Sequence, residues 1–306
     1  MPSVTNVVDL PALARQLASR AGGAEANIQA HIQTLLLYGG LNLGEDDLVS
    51  VELEAQAGGG RRIDIETGLT VIEVKRDLRQ GNVLEEATKQ LGGYVRDRTE
   101  QLGQRYVGVL TDGADWRLYH LAPVGLEEVS RFELTPASAD AEALTVWLEG
   151  ALATVDAIQP TPREIERRLG ARSSAHALDY ADLQTLYSQH RDDPTVQLKR
   201  ELWARLLRTA FGTSFEDDDA LFIEHTLLVV SAEIIAHAVV GLDPATIAPA
   251  SVLNGQRFQQ AGISGVVDED FFAVAAPRSD GTTTCRPRRS SSRATGVHVP
   301  GPTSGL

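Results

Sequence analysis

The stretch Arg61-Arg62-Ile63-Asp64-Ile65-Glu66-Thr67-Gly68-Leu69-Thr70-Val71-Ile72-Glu73-Val74-Lys75 constrains this chain more than any other. It reads as two short apolar strands joined by a turn at Thr67-Gly68. Residues i and i+2 of a strand share one face, so Glu73 and Lys75 project together while Ile72 and Val74 face the other way. Ile63 and Ile65 flank Asp64 in the same manner, which plants a carboxylate on an otherwise buried strand. If the strands pair as a hairpin, Asp64 approaches Glu73. Two converging carboxylates with a lysine beside them suit a hard divalent cation, which takes oxygen ligands and keeps several waters. The lysine can then position or deprotonate a water for attack on a phosphodiester. Taken alone, acid–apolar–lysine triplets are common on charged edge strands, where they discourage aggregation.

The flanking patterns give the triplet its context. Upstream, Ile28, Ile32, Leu35 and Leu36 recur at helical spacing from Glu25 onward. Val49 to Glu54 alternates apolar and polar residues, as a half-buried strand does. Downstream, Asn82 reads as the N-cap of a helix with Glu85 and Glu86 in its first turn, where acids favour the helix dipole. That helix sets Gln90 and Tyr94 one turn apart on one face. Tyr106 to Thr111, a turn at Asp112-Gly113-Ala114-Asp115, and Trp116 to Leu121 then form a strand–turn–strand unit. The expected order is helix, three strands, helix, strand, strand.

This order, with Asp64 and Glu73-Val74-Lys75 in place, resembles the αβββαβ core of the PD-(D/E)xK nuclease superfamily. Gln90 and Tyr94 resemble the QxxxY element of its exonuclease and type I restriction-subunit branch. The run from Glu25 through Leu121 is most similar to the N-terminal nuclease domain of polypeptides that join a restriction nuclease to an adenine methyltransferase. The resemblance implies an α/β fold with a mixed sheet, and Mg2+ (or Mn2+) held by Asp64, Glu73, the Val74 carbonyl and Glu25. It also implies catalysis by Asp64, Glu73, Lys75 and Gln90. Arg61, Arg62, Arg76, Arg79 and Tyr94 are the expected nucleic-acid contacts. The implied activity is Mg2+-dependent cleavage of double-stranded DNA in a restriction–modification system. A methyltransferase or specificity portion would act in cis or trans, and cutting both strands implies a second copy. A silent nucleic-acid-binding or assembly module and a nuclease acting on RNA are the alternatives.

Composition bounds these expectations. At 306 residues the chain suits about two domains. The single cysteine, Cys285, excludes a disulfide framework and a cysteine-rich zinc site, which fits a reducing cytoplasm. Residues 1 to 20 show no basic head followed by an apolar run, so no secretory signal is expected. The net charge of −14 opposes long-range approach to phosphates. Basic residues nevertheless gather near the motif: Arg61, Arg62, Lys75, Arg76, Arg79, Lys89, Arg96 and Arg98. Lys89, Arg96 and Arg98 serve equally well as partners in helix-surface ion pairs.

The second half reads as helical. A helix is expected over 139 to 155 and another from Pro162 with Thr161 as its cap; three more cover 176 to 190, 195 to 211 and 218 to 240. Leu198, Leu202, Leu206 and Ala210 recur at helical spacing, and Trp203 and Leu207 broaden the stripe. The apolar segment Leu221 to Val240 carries Glu224, His225, Glu233 and His237, which makes a spanning helix costly and a buried soluble helix the expectation. Glu233 and His237 stand four apart without a ligand-rich signature, so a satisfied core histidine is expected there and no site. Phe211-Gly212 and Leu221-Phe222-Ile223-Glu224-His225-Thr226 resemble the helical connector of the fused enzymes. The expected domains are therefore 1–135, a nuclease domain, 136–273, a helical connector, and 274–306, a disordered tail. That tail sets five arginines against one acid, Asp280, and lacks an apolar period. A basic nucleic-acid-binding tail is one reading; the preferred expectation is an out-of-frame or truncated ending after Phe272, since no S-adenosylmethionine motif and no Asn-Pro-Pro-Tyr tetrad occurs in the chain.

Overall fold

A computed structural model describes residues 8–19, 24–41, 52–56, 62–152, 161–212, 215–242, 249–253, 255–260 and 262. Two compact units emerge: 1–155 with 165–185, and 156–164 with 186–306. The first is α/β. Helices α1 (Leu10–Ser19) and α2 (Glu25–Tyr38) precede strands β1 (Glu52–Gln56), β2 (Arg62–Thr67) and β3 (Thr70–Val74). Helix α3 (Val83–Leu102) leads to β4 (Val107–Thr111), β5 (Asp115–Ala122) and β6 (Gly125–Glu133), and α4 (Ala141–Ala151) follows. The six strands form one sheet in the order β1-β2-β3-β4-β5-β6. All neighbours are antiparallel except β3 and β4, which run parallel because α3 carries the chain back across the sheet. The expected order of helix, three strands, helix, strand, strand is present, and β6 and α1 are additions that the sequence reading lacked.

The sheet has an apolar layer on each face. On one side Ile65, Ile72, Val74, Val109, Trp116 and Leu118 pack with Ile32, Leu35 and Leu36 of α2, with α1, and with Leu144, Trp147 and Leu148 of α4. On the other, Ile63, Val71, Leu110 and Tyr119 pack with Ala87, Leu91, Tyr94 and Val95 of α3. Every residue of β3 and of β4 is buried, as two-sided coverage requires. Gly108 lies beneath α3, where an added Cβ would stand 2.8 Å from the Leu91 side chain, so a larger residue would force Leu91 to shift.

The β2–β3 hairpin turns at Gly68 and Leu69, with Gly68 at φ 53°, a left-handed conformation that favours glycine. Pairing continues through Thr67↔Thr70, Glu66↔Val71 and Ile65↔Ile72 and then stops. Ile63 and Ile65, expected on one face, enter different apolar clusters, so the two strands part company at Asp64. Of the expected strand over 49 to 54, residues 52–54 fall in β1 and 49–51 lie outside the described residues. Asn82 does stand at the N-cap of α3, but its side chain makes no capping bond. With φ −96° and ψ 9°, its backbone lies outside the extended region from which cap side chains usually reach the helix amides.

The remaining helices are α5 (Pro162–Leu169), α6 (Ser174–His190), α7 (Pro194–Phe211), α8 (Asp219–Val239), α9 (Pro249–Leu253) and α10 (Gln256–Gln260). Thr161 accepts from the Glu164 amide at 3.3 Å, the cap read from the sequence. One correction concerns this half. The first unit extends past 135: α4 packs on the sheet, and the division between units runs through α5 and α6. The stripe expected on α7 is present as a spacing but is largely uncovered: Leu198 and Leu206 are 56% and 55% exposed and Ala210 is exposed too. Trp203, with Ala204 and Phe222, forms the small core of that region. Among the described residues α8 is the one helix long and apolar enough to cross a membrane. It buries Glu233 and His237, and the expectation of a satisfied histidine holds at one nitrogen only. His237 Nδ1 lies 2.7 Å from the Glu233 carbonyl, while Nε2 and Glu233 Oε2 are buried without partners among the described residues. The segment after 262, including the tail, lies outside the described residues.

Candidate metal and phosphodiester site

Strand β3 ends in Glu73-Val74, and its parallel neighbour β4 ends in Thr111 beside the Asp112–Ala114 turn. The carboxyl ends of parallel strands are where α/β sheets place their ligand sites. The Lys75 amide donates to the Thr111 carbonyl at 2.9 Å, which extends the β3–β4 ladder and fixes the lysine backbone. Asp112 secures the same corner. Its carboxylate accepts from the amides of Leu78 (3.2 Å), Ala114 (3.1 Å) and Asp115 (2.8 Å), so the loop after Lys75 is tied to the β4–β5 turn. No role was read for Asp112 from the sequence beyond its turn, although Asp-Gly after a strand is a local hydrogen-bonding signal.

Asp64 reaches this corner where the hairpin pairing ends. The register of β2 on β3, carried one step beyond Ile65↔Ile72, sets Asp64 opposite Glu73. Instead of a backbone partner, the Val74 amide donates to Asp64 Oδ2 at 2.8 Å. The side chain of Glu73 is 0% exposed. Its Oε1 accepts from Lys75 Nζ at 2.5 Å, and its Oε2 is buried without a partner among the described residues. Burial first, and then the charge of Asp64, push the Glu73 carboxyl up to about 7; contact with Lys75 opposes the rise and Glu25 adds to it. Burial works against the Lys75 ammonium, but Glu73, Glu25 and Asp64 outweigh it and hold its pKa above the usual lysine value. The four residues Glu25 of α2, Asp64 of β2, Glu73 of β3 and Lys75 just after it therefore form one electrostatic group.

The other expected site residues divide. Gln90 Nε2 donates to the Tyr94 hydroxyl at 2.9 Å, so their shared helix face is real. Tyr94 is only 2% exposed and packs in the α3-side core. Its ring is thus placed for supporting α3 on the sheet rather than for lying against a nucleic acid. Arg76 is exposed. Arg79 is exposed as well but engaged with Asp77 at 2.9 and 3.0 Å, and that pairing, with the Arg79 amide, holds the Asp77 carboxyl well below its usual range. Arg61 lies outside the described residues; Arg62 enters β2 opposite Gln56, with its side chain outside the described set. Arg98 pairs with Glu66 at 2.6 Å, while Lys89 and Arg96 are exposed on α3.

The donor set suits a hard divalent ion. Among the described residues no three of His, Cys, Asp and Glu gather into a metal cage. Mg2+ does not need one, since it is held by one or two carboxylates and keeps several waters. Glu73, whose Oε2 has no hydrogen-bond partner among the described residues, and Asp64, whose charge it senses, supply two carboxylates of that kind. The chain matches no protein-family model, no curated protein and no solved structure.

Proposed function

We propose that this chain is a Mg2+-dependent endonuclease that cleaves DNA phosphodiester bonds, the nuclease portion of a restriction–modification enzyme. The reading takes the first unit as a restriction-endonuclease-like core, supported by its element order and by the parallel β3–β4 pair. The observation that carries it is Glu73, fully buried, with one oxygen on Lys75, the other unpartnered, and Asp64 and Glu25 adding negative charge. A carboxylate is not left half-satisfied in a core without a cost of about 1–3 kcal/mol, which a ligand can remove.

Asp64 and Glu73 would hold Mg2+ (or Mn2+), with Glu25 and the Val74 carbonyl as further donors. When bound, the ion supplies Lewis acidity and neutralises charge at the phosphate. The Val74 amide, donating to Oδ2, would hold the Asp64 carboxylate in place at the site. Lys75, whose ammonium is favoured by Glu73, Glu25 and Asp64 against its burial, would orient water and steady phosphate charge. Gln90 acts through Tyr94 to fix α3 beneath the site.

Asp64→Ala and Lys75→Ala should each lower cleavage at least ~10³-fold while the far-ultraviolet circular dichroism spectrum is unchanged, a loss typical of one preorganised electrostatic group. Glu100→Ala, on the exposed face of α3, is the control. Glu66 is unsuitable because it pairs with Arg98. Supercoiled plasmid, linear duplex and structured RNA are incubated with Mg2+ or with EDTA. Equal cleavage by Asp64→Ala and Glu100→Ala removes the site from the reaction, and Mg2+-dependent cutting of the RNA alone replaces DNA as the substrate.

A further inference from the structure

We infer that Lys75 is a built-in counter-ion that competes with the divalent cation for Glu73, so that metal uptake and phosphodiester binding assist each other. The inference rests on the metal-site reading above. Glu73 has no exposure and senses the negative charge of two further acids, Asp64 and Glu25, so its own charge needs a cation nearby. Lys75 Nζ, 2.5 Å from Oε1, is that cation in the structure described. Asp64 has already committed Oδ2 to the Val74 amide. Glu73 is accordingly the carboxylate on which a divalent ion must rely most, and it is the one the lysine holds.

Two cations on one carboxylate repel strongly at such separations. Lys75 must therefore loosen or leave Glu73 as the ion is taken up. It can do so: its backbone is anchored through the Thr111 carbonyl, but its side chain is 19% exposed and can swing outward. A phosphodiester at the site offers the displaced ammonium a new partner. The cost of parting the Lys75–Glu73 pair is then met once for both ligands, and each raises the affinity of the other by the same factor.

The test measures binding rather than cleavage and uses the full chain. Mn2+ affinity is read from the electron paramagnetic resonance signal of the free ion, without nucleic acid, for wild type, Lys75→Met, Lys75→Gln and Glu73→Gln. Lys75→Met should bind Mn2+ at least about tenfold more tightly than wild type, given the size of a charge–charge term at this range. Lys75→Gln, which keeps a donor to Glu73 but not the charge, should do the same and stands in if Lys75→Met fails to fold. Glu73→Gln should bind more weakly. In fluorescence anisotropy, saturating Ca2+ should raise the affinity for a mixed-sequence duplex by a larger factor in wild type than in either Lys75 variant. Equal or weaker Mn2+ binding by the Lys75 variants, with Glu73→Gln still impaired, overturns the counter-ion role and leaves the nuclease reading standing. An absence of Mn2+ binding in all four proteins at millimolar ion overturns both.

Discussion

Glu73 concentrates the chemistry of the first unit in one side chain. Its folded-state pKa, about 7, stands above the ordinary value of 4.5, so the folded protein holds this proton more tightly than the unfolded chain does. Stability from this group is fully present below about 4.5 and is lost as pH rises through about 7. The groups that face it are Asp64 and Glu25, which deepen the effect, and Lys75, which opposes it. Glu233 follows the same direction, also to about 7, and there burial alone is the cause. In EDTA, Glu73→Gln should flatten the decline of stability between pH 5 and 7, with ~3 kcal/mol as an upper bound for a shift of this size. Glu233→Gln should remove a second, independent contribution to the decline over the same pH range. Urea titrations at several pH values measure both; an unchanged slope in Glu73→Gln means that its proton is not held as described. The sequence showed that Glu73 and Lys75 share a face, because that follows from strand geometry. It did not show which oxygen the lysine takes, or that Glu25 comes within range, since that depends on how α2 docks.

At the scale of elements, the corner between β3, the loop to α3 and the β4–β5 turn is held by Asp112. Three amides converge on its carboxylate, and it is 1% exposed. Asp112→Ala leaves those donors buried and should cost at least about 2 kcal/mol, while Asp112→Asn, which keeps one acceptor oxygen, should cost less. Hydrogen exchange at the Leu78 amide, one of the three donors, should accelerate in Asp112→Ala more than at the Val109 amide within β4. Equal exchange at Leu78 in wild type and variant would exclude the carboxylate as the tie. Strand β6 shows why an element can escape a pattern reading. Its apolar residues Leu126, Val129 and Phe132 stand three apart, which is not the alternation of a strand. The register on β5 shifts between Leu118 and Tyr119, so Leu118 faces Ser130 and Tyr119 faces Glu128, leaving Val129 extra. That bulge flips the phase: Leu126 packs toward α3, and Val129 and Phe132 toward the opposite layer.

At the scale of the molecule, the first unit has an apolar layer on either face of one sheet, and the second has its own small cluster around Trp203 and Phe222. Trp116 and Trp203 are both buried, each in a different unit. Calorimetry should resolve two transitions. Trp116→Ala should lower one and Trp203→Ala the other, each by an amount matching the ~3–5 kcal/mol of a large core deletion. A single transition displaced by both variants would show that the units unfold together. The sequence by itself determined the β2–β3 hairpin, the phase of Glu73 and Lys75, and helices α5 to α8, because turn chemistry, side-chain alternation and helical period are local properties of the chain. It also placed α7 and its apolar stripe, but not the exposure of Leu198 and Leu206, because periodicity names a stripe but not what covers it. Only the tertiary structure decided that β3 and β4 lie parallel, that Asp64 receives the Val74 amide where the hairpin pairing ends, and that Glu73 keeps a buried oxygen without a partner. These depend on contacts between residues far apart in the chain, and no local pattern carries the energy of such contacts.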